Sequence, residues 1–104
     1  MLSEDVLQRI KASLATAFPS RLRGIMLYGS EARGEEAHDS DVDLLVLLSG
    51  PIDRGQDLRA CIHALYPLVL EIDRPIHAKP VDVADYEAQV FPLYREAMRE
   101  GLLV

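Results

Sequence analysis

Residues 42–48, Val-Asp-Leu-Leu-Val-Leu-Leu, are apolar at every position except Asp43. A strand with alternating apolar residues can leave one face to water, but a strand apolar on both faces must be covered on both. This run therefore predicts an interior strand between two layers, which limits the chain to a layered α/β arrangement. Gly50-Pro51 ends it, and a polar stretch from Gly34 to Ser40 precedes it.

The remaining elements can be placed around that strand. Ser3 followed by Glu4 and Asp5 starts a helix with acids in its first turn. Leu7, Ile10, Leu14 and Phe18 recur at helical spacing before Pro19, so the helix covers about residues 3 to 17. Leu22 to Tyr28 reads as a second strand, with a brief helical turn over Glu31 to Arg33. A further helix runs from near Gln56 to Tyr66 on an apolar stripe of Leu58, Ile62 and Leu65. Pro67 either ends it or kinks it before a continuation to Glu71. Ile76 to Val83 is a third strand, placed by Pro80 at a sheet edge or irregularity. A last helix covers Asp85 to Glu100, with a break expected before Pro92 and a stop at Gly101. The expected fold is thus α/β, or α+β: a small mixed sheet of three to four strands flanked by helices.

The chain of 104 residues is read as a single domain over 1–104. Acids outnumber bases by 17 to 11, for a net charge of −6. Nucleic-acid binders take most of their affinity from a basic face, so direct binding of a polynucleotide is not expected. A small phosphorylated ligand carried with a divalent cation is compatible with this charge. Cys61, the single cysteine, lies in an apolar helical stretch and reads as a core residue. A lone cysteine suits a reducing cytoplasm, and the sequence holds neither a signal-peptide pattern nor an apolar run of membrane-spanning length.

The chemistry-bearing residues crowd into one segment. Gly29-Ser30 follows a strand; glycine permits positive φ and a close ligand approach, and Ser30 with nearby N–H groups can hold phosphate oxygens. Asp41 and Asp43 enter the apolar strand one residue apart, so both carboxylates project from one face, roughly 6.5–7 Å apart at Cα. Two hard carboxylates on a rigid element suit Mg²⁺, which takes one or two such ligands plus phosphates and water. An unpaired Asp43 next to so apolar a run would be costly, and a metal relieves that cost. Arg33 can reach a phosphate or pair with Glu31, Glu35 or Asp41. His38, His63 and His77 have no metal-ligand spacing; His38, in the motif loop, is either a surface residue or a ligand neighbour. Tyr28 reads as packing.

Gly29-Ser30, ten intervening residues and Asp41-Val42-Asp43 together resemble the signature of the DNA polymerase beta-like nucleotidyltransferases, and specifically its minimal members. The likeness extends to Ala32-Arg33-Gly34 after the Gly-Ser, Ser40-Asp41 ahead of the second acid, and the closing Arg99-Glu100-Gly101. The resemblance implies a polymerase beta-like palm fold and Mg²⁺-dependent nucleotidyl transfer from ATP. Asp41 and Asp43 would bind one or two Mg²⁺ ions that hold the triphosphate, with Gly29, Ser30 and Arg33 on the phosphates. A third acid on a neighbouring strand shares a metal and activates the incoming hydroxyl. Asp82 is the candidate for that acid, because a Val-Asp-Val segment recurs there in relatives, with Asp73 and Asp85 as alternatives.

Minimal members of this kind are commonly antitoxins of two-gene modules whose partner is a helical HEPN-type ribonuclease toxin. The resemblance implies transfer of AMP to a tyrosine hydroxyl of that toxin, with the last helix and Leu102-Leu103-Val104 available to bury apolar surface against it. Two other readings are a binding antitoxin without catalysis and a small-molecule nucleotidyltransferase like the aminoglycoside-modifying enzymes. The last is disfavoured because the sequence has no room for an acceptor-binding domain.

Overall fold

The structure is a computed structural model that describes residues 2–34 and 40–104. Helix α1, Glu4–Ala17, begins at Ser3, whose side chain accepts a hydrogen bond from the Val6 amide. Strand β1, Leu22–Tyr28, leads directly into the short α2, Ser30–Arg33. Strand β2 is Val42–Leu48, and α3, Arg54–Ile72, starts from an Asp53 cap. Strand β3, Ile76–Asp82, runs into α4, Val83–Glu87; α5, Pro92–Glu100, and β4, Leu102–Leu103, follow.

The sheet order is β3-β2-β1-β4, parallel between β2 and β3 and antiparallel elsewhere. As the apolar run requires, β2 is interior, and all its residues except Asp43 are buried. Val42, Leu44, Val46 and Leu48 pack against Ile10 and Leu14 of α1 and against Cys61, Leu65 and Leu68 of α3. Leu45 and Leu47 face the other way, onto Met26, Val81, Tyr86, Tyr94 and Ala97. Each fully buried Leu or Val side chain contributes roughly 1.5–3 kcal/mol, so this strand is the energetic centre of the fold. Burial, with Asp57's charge as a smaller cause, pushes the Cys61 thiol up to about 12, in keeping with a core residue.

Two expectations need correction, the buried face of α3 and the role of the C-terminal residues, and two open alternatives are resolved. Helix α3 continues through Pro67 to Ile72 without a break. Its buried face is Asp57, Cys61, Leu65 and Leu68, whereas Leu58 and Ile62 are exposed. Both apolar sets have helical spacing, and only the packing of α3 on β2 chooses between them. As expected, the last helix is broken ahead of Pro92, into α4 and α5. The C-terminal residues form an edge strand: Met26 pairs with Leu103, Leu27 with Leu102, and the Val104 amide donates to Ile25 O. Pro80, as anticipated, lies on an edge strand, where its missing N–H costs no ladder bond. No helix among the described residues is long and apolar enough to cross a membrane.

Candidate active site

The antiparallel register of β1 and β2 sets Tyr28 opposite Asp43, so the Gly29-Ser30 end of β1 meets the Asp-x-Asp start of β2. Gly29 turns the chain with φ 74° and ψ −152°, a conformation suited to glycine. A Cβ at this position would stand 2.7 Å from Asp43 Oδ2, so glycine is required both by the turn and by the carboxylate pressed against it. Ser30 opens α2 directly above that contact in sequence.

On the other side of β2, the parallel register sets His77 beside Asp43. Asp41, exposed just ahead of β2, lies with its Oδ2 3.4 Å from His77 Nε2. Residues from three adjacent strands therefore converge at one end of the sheet. Asp43 is half-buried, and its carboxyl is raised from its ordinary value by burial first; His77 opposes that shift and Asp41 adds to it. Tyr28 is likewise raised, by burial and then by Asp43. Among the described residues Asp43 has no lysine or arginine within ion-pair reach.

Asp82 does not join this group. It pairs in register with Leu48, five residues along from Asp43 or about 16 Å at strand spacing, and odd and even positions project from opposite faces. Its side chain caps α4 instead, accepting from the Ala84 amide at 2.9 Å. The expected cluster of Asp41, Asp43 and Asp82 is thus corrected to Asp41 and Asp43 with His77. The physical reason is strand direction: parallel strands align their starts, so the neighbour of an acid at the start of β2 lies at the start of β3. That rule was the available signal for His77 in the sequence, and Asp82, at the end of its strand, fails it. Asp73, at the C-cap of α3, and Asp85, in α4, do not belong to the group either. Arg33 is exposed on α2, with Nη1 3.9 Å from Glu100 Oε2. His38 and Glu35 lie outside the described residues.

A second missed feature holds the site together. Glu31, wholly buried in α2, accepts from Arg74 Nη2 at 2.5 Å and from the Leu2 amide at 2.6 Å. Arg74 also donates from Nε to Ser40 O at 2.9 Å and from Nη2 to Ser40 Oγ at 3.3 Å. One guanidinium thus ties α2 to the residue preceding Asp41. A charged residue inside a strand-to-helix turn was the only sequence hint, and it did not reveal the partner.

Residues 8–104 match the family model described as polymerase beta, nucleotidyltransferase. The chain belongs to this nucleotidyltransferase family. No curated protein matches it. Its fold is shared by solved structures of low identity. A toxin–antitoxin crystallised with AMP-PNP is 19% identical, over 98% of this chain and 72% of that one, with a TM-score of 0.67. A mutant toxin–antitoxin MntA–HpeT is 17% identical, over 100% of this chain and 72% of that one, with a TM-score of 0.64. Spectinomycin adenyltransferase from Enterococcus faecialis, solved with ATP and spectinomycin, is 21% identical over 86% of this chain and 36% of that one, with a TM-score of 0.63. The expected polymerase beta-like fold is therefore observed, and the chain is by family a nucleotidyltransferase.

The donor set can be tested against a bound metal. Asp41 and Asp43 give two oxygen-ligand side chains, one of them desolvated without a lysine or arginine partner among the described residues, which fits a single hard cation with open positions. Among the described residues no group of three or more His, Cys, Asp or Glu is placed to hold a metal ion.

Proposed function

We propose that this nucleotidyltransferase is a cytoplasmic antitoxin that transfers AMP from ATP to a tyrosine hydroxyl of a helical HEPN-family toxin. The observation that carries the reading is the meeting of Gly29-Ser30 with Asp41 and a desolvated Asp43 at one end of the sheet. The likeness in fold to toxin–antitoxin structures, one with AMP-PNP, supports the antitoxin role and the adenine nucleotide.

In this reading Gly29 and Ser30 receive the phosphates on backbone amides and the Ser30 hydroxyl, and Arg33 orients them from the exposed side of α2. Asp41 and Asp43 would hold Mg²⁺, which when bound would supply charge neutralisation for the triphosphate. The acceptor hydroxyl attacks the α-phosphorus in line, its proton leaves to a base, and pyrophosphate departs. The rigid pairing of β1 with β2 keeps phosphate and carboxylate sites in fixed relation, so catalysis rests mainly on positioning.

A specific observation favours a second reading. With His77 where a third carboxylate was expected, and Asp82 at the far end of β3, an antitoxin that neutralises its partner by covering it is compatible with the same site. The test is to incubate the chain with its toxin, Mg²⁺ and α-labelled ATP beside an Asp41→Asn/Asp43→Asn double variant. Label on the toxin that disappears with the double variant supports transfer. A neutralised but unlabelled toxin rules transfer out and leaves the binding antitoxin.

A further inference from the structure

Asp41, Asp43 and His77 gather where two parallel strands begin, and the third differs in kind from the other two. Asp43 and His77 are register partners, with Cα atoms about 4.8 Å apart at strand spacing. Asp41 precedes Asp43 by two positions, which puts both on one face. Its Oδ2 lies 3.4 Å from His77 Nε2, and solvent reaches both side chains, at 46 and 65% exposure.

An ion pair is one use of that contact, and an exposed pair has small energetic weight. The separation also suits a second use. Two ligands held about 2.1 Å from one cation, in tetrahedral or octahedral arrangement, lie roughly 3–3.5 Å from each other. Asp41 Oδ2 and His77 Nε2 therefore stand as neighbouring ligands of one ion would. Asp43 borders His77 and has no lysine or arginine within ion-pair reach among the described residues.

Donor chemistry sets which cation gains from this. Mg²⁺ is hard, takes oxygen ligands and gives up water reluctantly. Imidazole nitrogen is softer, and first-row transition cations bind it with affinities that rise from Mn²⁺ to Co²⁺. A carboxylate at position 77 would leave oxygen donors alone; histidine adds the one donor that separates these cations from Mg²⁺.

We infer that His77 is a metal ligand beside Asp41 and Asp43, so that the site holds Mn²⁺ and Co²⁺ more tightly than Mg²⁺. The three side chains are not a preassembled cage among the described residues, and a turn of the Asp43 carboxylate toward the pair completes the set on binding. The inference rests on the proposed reading that the two carboxylates bind the cation, and adds the donor that selects it.

The test reads binding, not transfer, on the chain without nucleotide or toxin. Mn²⁺ is titrated by electron paramagnetic resonance, with Mg²⁺ and Co²⁺ as competitors, and the bound ion is examined for nitrogen coupling by spin-echo envelope modulation. The native chain should show nitrogen-coupled Mn²⁺ that Co²⁺ displaces at lower concentration than Mg²⁺. His77→Ala should remove the coupling and weaken Mn²⁺ about tenfold, with circular dichroism unchanged because the position is exposed. His77→Asp should narrow the preference by strengthening Mg²⁺. Mn²⁺ bound without nitrogen coupling, coupling that survives His77→Ala, or Mg²⁺ competing as well as Co²⁺ overturns the inference and leaves the carboxylate site standing. A native chain that binds no Mn²⁺, or binds it equally after Asp41→Asn/Asp43→Asn, overturns the underlying reading as well.

Discussion

Each end of the β1–β2 pair is fastened by an arginine and a buried carboxylate, yet the two ends treat their remaining charges differently. At the end near Leu22 and Leu48, Arg21 grips Asp57 with two bonds of 2.8 and 2.9 Å and also reaches Ser49 O and Pro51 O. The Asp57 carboxylate takes the Asp53 amide as well, and the arginine holds its carboxyl below the ordinary value. At the site end Arg74 is spent on Glu31 and Ser40, so Asp41 and Asp43 meet only His77 among the described residues. Burial consequently raises Asp43 where pairing lowers Asp57. One end satisfies its carboxylate internally, whereas in the proposed reading the other leaves a pair for a cation from outside.

Breaking the site-end clamp should have the largest effect. Arg74→Met takes the compensating guanidinium from buried Glu31, and about 3 kcal/mol of stability should be lost in urea unfolding. Toxin labelling per folded molecule should fall too, because α2 and Ser40 lose their tie; labelling at the native rate would show that Arg74 serves stability alone.

The far-end clamp should cost less, since Arg21 is partly exposed. Arg21→Met is expected to destabilise by about 2 kcal/mol while leaving labelling per folded molecule unchanged, and a selective loss of labelling would break the contrast between the ends. Acid titration tests the same pair. A depressed Asp57 stabilises fully above the ordinary value of 3.8, and that contribution disappears as pH falls through the lower folded value. Asp57→Asn should therefore unfold less steeply with acid than the native chain below about pH 4.

Asp82→Ala should remove a helix cap and nothing else, costing about 1 kcal/mol with transfer intact. A hundredfold fall in labelling would restore Asp82 to the site and contradict the strand register.

The smallest effect has the opposite sign. Asp43 is raised, so its ionised form opposes folding above its folded value, and the penalty vanishes once pH drops below 3.8. Asp43→Asn should make the metal-free chain more stable at neutral pH, by less than about 1 kcal/mol in calorimetry, while abolishing transfer. A variant less stable than the native chain at pH 7 would mean that Asp43 is already paired.

Local patterns made much of this legible. The β2 run announced an interior strand because burial on both faces leaves no polar alternation, and the Ser3 cap and Pro19 bounded α1 within a few residues. Gly29-Ser30 and Asp41-Val42-Asp43 could be joined because their spacing resembles a family signature, and the β1–β2 register brings them together. The face that α3 buries was hidden, because Leu58-Ile62-Leu65 and Cys61-Leu65-Leu68 are equally periodic and only the neighbouring layer selects one. β4 was hidden as well, since two residues form a strand only when β1 offers an edge.

By itself, then, the sequence determined three of the four strands and which of them is interior, consequences of local propensity and burial, while the family signature implied that the Gly29-Ser30 turn belongs with two carboxylates. Tertiary structure alone decided which third residue faces those carboxylates, because His77 reaches them through parallel pairing across more than thirty residues of chain. It also decided that Arg74 is consumed by Glu31 and Arg21 by Asp57, so the charge left over at Asp41 and Asp43 depends on long-range partners that no local pattern encodes.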